Sequence, residues 1–80
     1  MKKYNNSKNN VVGKLIEKYR NLRNFSKIEV CRRLQLHAVY ITNTELKRIE
    51  DGEMIVKDFE LIGFWKVLDI PDNEIKDLID

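Results

Sequence analysis

Side chains with a thiol or an imidazole, which can act as nucleophiles, metal ligands or general bases, are scarce in this 80-residue chain. Cys31 is the single cysteine and His37 the single histidine, so neither an intramolecular disulfide nor a Cys/His metal set can form. The carboxylates form no catalytic arrangement, and the three glycines make no phosphate-binding loop. We therefore expect no enzymatic activity, no cofactor and no metal. Cys31 is interpreted as a packed thiol rather than a redox switch, and His37 as a surface turn residue.

Hydrogen bonding by exposed polar side chains is the second kind of chemistry that the sequence offers. Leu46 and Ile49 are spaced three apart and predict the buried side of a short helix. Polar residues at helical spacing lie on the opposite side of that helix. They are Asn43, Thr44, Lys47 and Arg48. We interpret them as the exposed face of this helix; a merely solvated face is the alternative reading.

Two capping boxes fix where the central helices begin. They are Ser26-Lys27-Ile28-Glu29 and Thr42-Asn43-Thr44-Glu45. In each box we expect the hydroxyl to accept from the N–H three residues on, while the carboxylate accepts from the N–H of the cap residue. Gly52 then supplies a left-handed stop for the second helix. Two helix starts this close together predict a helix-turn-helix.

The remaining segments predict three further helices and hence an all-α domain over residues 10–80. Helix one begins at Asn10 and ends near Asn24, because apolar residues recur there at helical spacing. Asp58 is expected to cap helix four, and Pro71 to open helix five. Residues 1–9 are polar and without periodicity, so we expect a mobile arm.

Charge divides the chain into two unlike halves. Residues 1–36 contain ten basic and two acidic residues, a net charge of +8, whereas residues 37–80 contain five basic and eleven acidic residues, a net charge of −6. Such a division favours a face that attracts polyanions. No apolar run approaches the roughly 18 residues of a membrane helix, and the N-terminus lacks the apolar stretch of a signal peptide. We expect a cytoplasmic protein with no membrane partner.

The order of residues from Val12 to Leu78 resembles the lambda-repressor-like, Cro-type helix-turn-helix family, also called the XRE family. Three elements carry the resemblance. The family pattern Gly-x-x-Ile-x-x-Leu-Arg appears as Gly13, Ile16, Tyr19 and Arg20. The pattern Leu-Ser-Gln-x-x-Leu-Ala-x-x-Leu appears as Phe25, Ser26, Lys27, Val30, Cys31 and Leu34. The pattern Ile-x-x-Ile-Glu-x-Gly appears as Leu46, Ile49, Glu50 and Gly52.

This resemblance implies a sequence-specific regulator of transcription, a repressor by expectation, that binds double-stranded DNA with helix three in the major groove. Base contacts are then carried over to four positions of that helix, namely Asn43, Thr44, Lys47 and Arg48. Lys27 and Thr42 are implied to contact phosphates. The resemblance also implies that Arg20 and Glu50 form a buried ion pair between helix one and the end of helix three.

A two-fold homodimer on a palindromic operator is the expected assembly. Helix four is apolar around more of its circumference than one core requires, so part of it is a candidate for self-association. The candidate dimer surface comprises Trp65, Ile75, Leu78 and Ile79, together with Ile62 and Val67. Core packing is the alternative for the same residues.

The connection between helices two and three, residues 35–41, is longer than the tight turn of the family. We expect Leu36, Val39 and Ile41 to enter the core and Tyr40 to cover it. The longer connection could leave the angle of helix three unchanged or shift the helix. Acidic residues near the DNA-facing side, Asp51 and Glu53, favour a second hypothesis. This hypothesis is a non-enzymatic module with the same fold that binds a protein partner.

Overall fold

The part of the chain that the structure describes contains five helices and no strand. This computed structural model describes the backbone of residues 2–79 and the side chains of residues 11–76. The helices are α1 (Lys2–Leu22), α2 (Lys27–Gln35), α3 (Asn43–Glu50), α4 (Asp58–Leu68) and α5 (Asp72–Ile79). The Cα radius of gyration is 11.6 Å, close to the roughly 12 Å of a folded chain of this length. The predicted all-α class is confirmed.

Helix α1 begins at Lys2 and not at Asn10, so the expected start of helix one is wrong. The mobility expected of residues 1–9 stays a prediction. Residues 2–9 contain no glycine or proline. Extending a helix that is already formed is easier than starting one, so the polar run continues the helix. The far end matches the expectation: Asn24 adopts a left-handed φ of 60°, and the Phe25 N–H donates to the Arg20 carbonyl at 3.0 Å.

The hydrophobic core lies where α1, α2, α3 and α4 meet. Its largest fully buried side chains are Ile16, Val30, Leu34, Val39, Leu46, Ile49, Phe64, Leu68, Ile70 and Ile75. Gly13 permits the crossing of α1 and α3, because a Cβ at this position would lie 2.2 Å from the Ile49 carbonyl oxygen. No side chain larger than hydrogen fits there without a backbone shift. The inner side of α3 is therefore held directly against α1.

The segment between α2 and α3, residues 36–42, is anchored at two points. Val39 and Ile41 are buried, as expected, whereas Leu36 is 85% exposed and Tyr40 is 75% exposed. The expectation that Leu36 enters the core and Tyr40 covers it is wrong. Leu36 caps α2 with helical backbone angles, which places it about 200° around the helix from buried Leu34. Val39 packs against Gly63 of α4, where a Cβ would meet the Val39 Cγ2 at 2.8 Å.

The ends of α3 and α4 follow local sequence signals with one shift. Gly52 takes the expected left-handed conformation after α3, with φ of 78°. Helix α4 begins at Asp58, so its cap is Lys57 and not Asp58. The Lys57 N–H donates to the Glu60 carboxylate at 3.0 Å, and this bond fixes the start one residue earlier than expected. No helix in the described part of the chain is long and apolar enough to cross a membrane.

Candidate nucleic-acid interface

Helix α3 presents two faces of different character. Its inner residues Leu46 and Ile49 are fully buried. Its first turn carries a complete capping box: the Glu45 N–H donates to Thr42 Oγ1 at 3.1 Å, and the Thr42 N–H donates to Glu45 Oε1 at 2.9 Å. The expected box at Thr42 is confirmed. The start and the inner side of α3 are thus both fixed.

The outer face of α3 is exposed at all four positions for which base contact was implied. They are Asn43, Thr44, Lys47 and Arg48. Lys47 is engaged locally, because its Nζ lies 2.9 Å from Asp51 Oδ2. This hydrogen bond raises the pKa of Lys47, so the ammonium stays charged. Among the described side chains, no carboxylate pairs with Arg48 within 4.0 Å.

Arg20 and Glu50 join α1 to the last turn of α3. Arg20 Nε donates to Glu50 Oε2 at 2.7 Å, and Arg20 Nη2 donates to Oε1 at 3.1 Å. The Arg20 side chain is 11% exposed and that of Glu50 is 2% exposed. The bond to Glu50 raises the pKa of Arg20, and Arg20 Nη1 also donates to the Phe25 carbonyl at 3.1 Å. This bidentate pair is the arrangement that the resemblance implied.

Lys27 lies beside the same pair. Its Nζ is 4.0 Å from Glu50 Oε1, and its side chain is 32% exposed. The ammonium therefore contacts the outer side of a buried carboxylate while part of the side chain meets solvent. A phosphate that approached Lys27 would meet a cation whose charge Glu50 partly offsets.

The cap of α2 is simpler than the sequence predicts. The Glu29 N–H donates to Ser26 Oγ at 3.1 Å, which forms half of the expected box. The Glu29 carboxylate instead lies 2.7 Å from Arg33 Nε and 3.4 Å from Arg32 Nη1. Two guanidinium groups one turn along the helix compete successfully with the Ser26 N–H for this carboxylate. The prediction of a complete box at Ser26 is wrong.

The charge of the α2–α3 region sums to zero. Residues 27–53 contain five basic and five acidic residues, whereas residues 1–26 contain seven basic and one acidic residue, a net charge of +6. The positive surplus therefore belongs to α1 and not to the outer face of α3. Lys14 is exposed and follows Gly13, where a Cβ would lie 2.2 Å from the Ile49 carbonyl oxygen and 3.0 Å from that of Glu50.

A groove of about 360 Å³ lies between α2 and the first turn of α3, and sequence reasoning did not predict it. Ile28, Cys31 and Ile41 contribute apolar atoms to its wall. Polar residues, including Arg32 and Asn43, also line it. Burial raises the pKa of the Cys31 thiol, so this side chain stays neutral at neutral pH. Ile28 was the sequence signal for this groove. It is apolar, but the spacing of the inward residues Val30, Cys31 and Leu34 places it on the outer side of α2.

The candidate dimer surface is not one surface in the structure. Ile75 is buried in the core at 1% exposure, so its assignment to an exposed surface is wrong. Trp65 is half-buried and packs against the core. The side chains of Leu78 and Ile79 lie outside the described residues. Val67 is partly buried against the core, whereas Ile62 is exposed, as are Ile55 and Phe59.

No group of three or more His, Cys, Asp or Glu residues within the described ranges is placed to hold a metal ion.

Arg23 and Tyr19 serve the packing of α1 on the C-terminal half of the chain. Arg23 Nε donates to the Leu68 carbonyl at 2.8 Å, and the Tyr19 hydroxyl donates to the Glu74 carboxylate.

Comparison of the chain with protein-family models, with curated proteins and with solved structures gave no match.

Proposed function

We propose that the protein is a sequence-specific DNA-binding regulator of transcription, acting in the cytoplasm as a repressor that occupies an operator. In this proposal α2 and α3 form a lambda-repressor-like helix-turn-helix, with α3 in the major groove and α2 across the backbone. The observation that carries it is the division of α3. Its inner face and first turn are fixed, while its outer face presents four exposed polar side chains on a rigid support.

The side chains of that outer face match the hydrogen-bonding groups of base edges. Asn43 can pair with adenine N6 and N7, and Arg48 can pair with guanine O6 and N7. The Thr44 methyl group can contact the methyl group of thymine. A good bidentate pair discriminates between bases by about 1–3 kcal/mol. Arg48 is the strongest candidate because no described carboxylate holds it.

Phosphate contacts are assigned to Lys27 and Thr42, with Lys14 as an addition from the structure. The Thr42 hydroxyl accepts from the Glu45 N–H and retains its own hydrogen for donation. The Thr42 N–H, in contrast, already donates to Glu45 and is not free. Lys47, for which base contact was implied, can leave Asp51 to reach the duplex, because exposed ion pairs of this kind are weak.

Selection from random duplex oligonucleotides with the purified full chain tests the proposal. We expect enrichment of one sequence, and a binding constant that falls as salt concentration rises, because phosphate contacts release counterions. Arg48→Ala should lose preference at one base pair. Lys27→Ala should weaken binding to all sequences and reduce the log–log salt slope by about one. Lys76→Ala, which removes a cation on α5, is the matched control.

A second candidate function is binding of a protein partner at the groove between α2 and α3. Ile28 is 59% exposed and lies in the groove wall, and exposed Leu36 follows α2 directly. The zero net charge of residues 27–53 favours this alternative over a polyanion. Absence of any enriched duplex, together with a salt-independent weak affinity for DNA, would replace the first proposal by the second.

A further inference from the structure

The groove between α2 and the first turn of α3 combines apolar walls with hydrogen-bond donors. Ile28, Cys31 and Ile41 supply the apolar atoms, and Arg32 and Gln35 supply N–H groups. Neither Asp nor Glu occurs among the seven residues that line it. Such a lining favours a ligand that is apolar over most of its length and negatively charged at one end.

Arg32 is the cation of the groove, and it is held only loosely. Its Nη1 lies 3.4 Å from Glu29 Oε1, whereas Arg33 Nε lies 2.7 Å from the other oxygen of the same carboxylate. The Arg32 side chain is 71% exposed, and exposed ion pairs of this kind are weak. Arg33 can therefore retain Glu29 while the planar guanidinium of Arg32 binds a ligand carboxylate through two N–H groups.

The apolar part of the groove is adjacent to this cation. Ile28 lies four residues before Arg32, on the same side of α2, and is 59% exposed. Ile41, on the side of α3, is buried, so this wall is fixed in place. Cys31 keeps its proton at neutral pH, because burial raises the pKa of its thiol. An apolar chain in the groove would cover Ile28 and meet no charge on Cys31 or Ile41.

The size of the groove favours a small molecule over a protein partner. Its volume of about 360 Å³ lies within the range of about 300–1,000 Å³ that small-molecule sites occupy. A standard protein interface uses about 20–30 residues on each side, whereas seven residues line this groove. The occupant that fits these dimensions is a single short chain with one charged end.

We propose that the groove binds a small organic carboxylate with an apolar chain, and that this ligand competes with DNA. The carboxylate accepts from Arg32 and from the Gln35 amide, and the chain covers Ile28. The competition rests on the proposed function, because Thr42 and Asn43, assigned there to phosphate and base, line the same groove. Asn43 cannot face a ligand in the groove and an adenine edge at once, so each occupant lowers the affinity for the other.

Titration of the full chain with octanoate, followed by the NMR shifts of backbone amides, tests the site without DNA. We expect the shifts to be confined to the outer side of α2 and to residues 41–43. The Kd should be on the order of 1 mM, because an open groove covers only part of so small a ligand. Octan-1-ol, which has the chain without the charge, and acetate, which has the charge without the chain, should both bind more weakly.

Two variants separate the charged and the apolar contacts. Arg32→Gln should weaken octanoate binding roughly fivefold or more, because it removes a charge-assisted hydrogen bond. Ile28→Ser should weaken it roughly threefold or more, because it removes apolar surface. Lys76→Gln and Ile55→Ser make matched changes at exposed positions outside the groove and should bind octanoate like the unaltered chain. Circular dichroism confirms that each variant is folded.

The competition is measured on the duplex obtained by oligonucleotide selection. About 10 mM octanoate, roughly ten times the expected Kd, should lower the affinity for that duplex about tenfold. The same concentration of acetate controls for ionic strength, to which DNA binding is sensitive. In Ile28→Ser the ratio of the affinities without and with octanoate should fall towards one.

The outcomes distinguish this site from the proposed function. Absence of localised shifts overturns the site, and so does equal binding of octan-1-ol, which would leave an apolar surface for a protein partner. A duplex affinity that octanoate lowers no more than acetate does overturns the competition. If selection enriches no duplex while octanoate binds with the expected variant pattern, the ligand site is supported and the DNA-binding function is rejected.

Discussion

The two faces of α3 differ in what fixes their residues. On the inner face, Gly13 allows α1 to approach, and the buried Glu50 carboxylate is held by Arg20. On the outer face, Lys47 pairs only with a neighbour on the same surface, and Arg48 pairs with no described carboxylate. The inner residues are required for folding. The outer residues are expected to change with little effect on the fold, as the proposed recognition surface requires.

The largest predicted effect is on the inner face, at Glu50. Glu50→Ala should lower the free energy of unfolding by about 3–5 kcal/mol, because it leaves the Arg20 guanidinium uncompensated in a largely buried position. Urea denaturation followed by circular dichroism measures the change. The matched control is Arg48→Ala on the outer face, for which a change within about 0.5 kcal/mol is expected. Equal urea midpoints for the two variants would contradict the claim that only the inner face stabilises the fold.

Gly13→Ala should be the next most damaging change, with a loss of about 1–3 kcal/mol. The added methyl would lie 2.2 Å from the Ile49 carbonyl oxygen and would push α1 away from α3. Alanine is the better helix former, so a purely local effect would stabilise the protein instead. Asn21→Ala, at an exposed position of the same helix, is the control in thermal unfolding. A stabilised Gly13→Ala variant would contradict the close crossing.

Thr42→Ala should cost about 1 kcal/mol, the usual value for loss of a helix cap. The substitution removes the oxygen that accepts from the Glu45 N–H. Thr42→Ser retains that oxygen and should behave as the unaltered chain in denaturant titrations. A serine variant as unstable as the alanine variant would show that the methyl group, and not the cap, is what matters.

Asp51→Asn tests the outer face of α3. It releases Lys47 and removes a carboxylate from the end of α3, with little change in unfolding. We expect DNA affinity to rise and the log–log salt slope to steepen by up to about one, the value for one added phosphate contact. Asp69→Asn, after α4, is the control. Weaker DNA binding by Asp51→Asn would argue that Asp51 positions Lys47 for recognition.

The smallest predicted effect concerns pH and Cys31. Burial raises the pKa of this thiol in the folded protein, so the folded state retains the proton more tightly than the unfolded chain. The corresponding stability is fully present below the pKa of the unfolded thiol, about 8.5, and is lost as pH rises through the folded value. Cys31→Ala should flatten the alkaline decline in the unfolding free energy. An identical pH slope in both proteins would contradict this account.

The sequence correctly predicted those helix ends that depend on a single short stretch of neighbouring residues. The box at Thr42 and the left-handed stop at Gly52 depend on neighbours within four residues, and both are present. Glu29 had the same local signal and formed a different bond, because Arg32 and Arg33 compete for its carboxylate. The Arg20–Glu50 pair spans thirty positions and was expected from the resemblance to a family rather than from spacing.

Features that depend on tertiary contact were not predictable from the pattern. The directions of Leu36 and Tyr40 follow from how α2 ends and from the anchoring of Val39 on Gly63. The burial of Ile75 follows from packing of α5, although its spacing also fitted a surface stripe. An amphipathic pattern shows which residues share a face of a helix, but not which neighbour that face meets.

The contact between Val39 and Gly63 bears on how this protein can tolerate changes in length. Since Val39 is held by α4 and Ile41 is buried, the path into Thr42 is fixed over its last few residues. Residues 36–38 project into solvent upstream of that anchor. Extra residues inserted there would extend outward without displacing the first turn of α3, whereas a single deletion between Val39 and Thr42 would rotate the whole outer face.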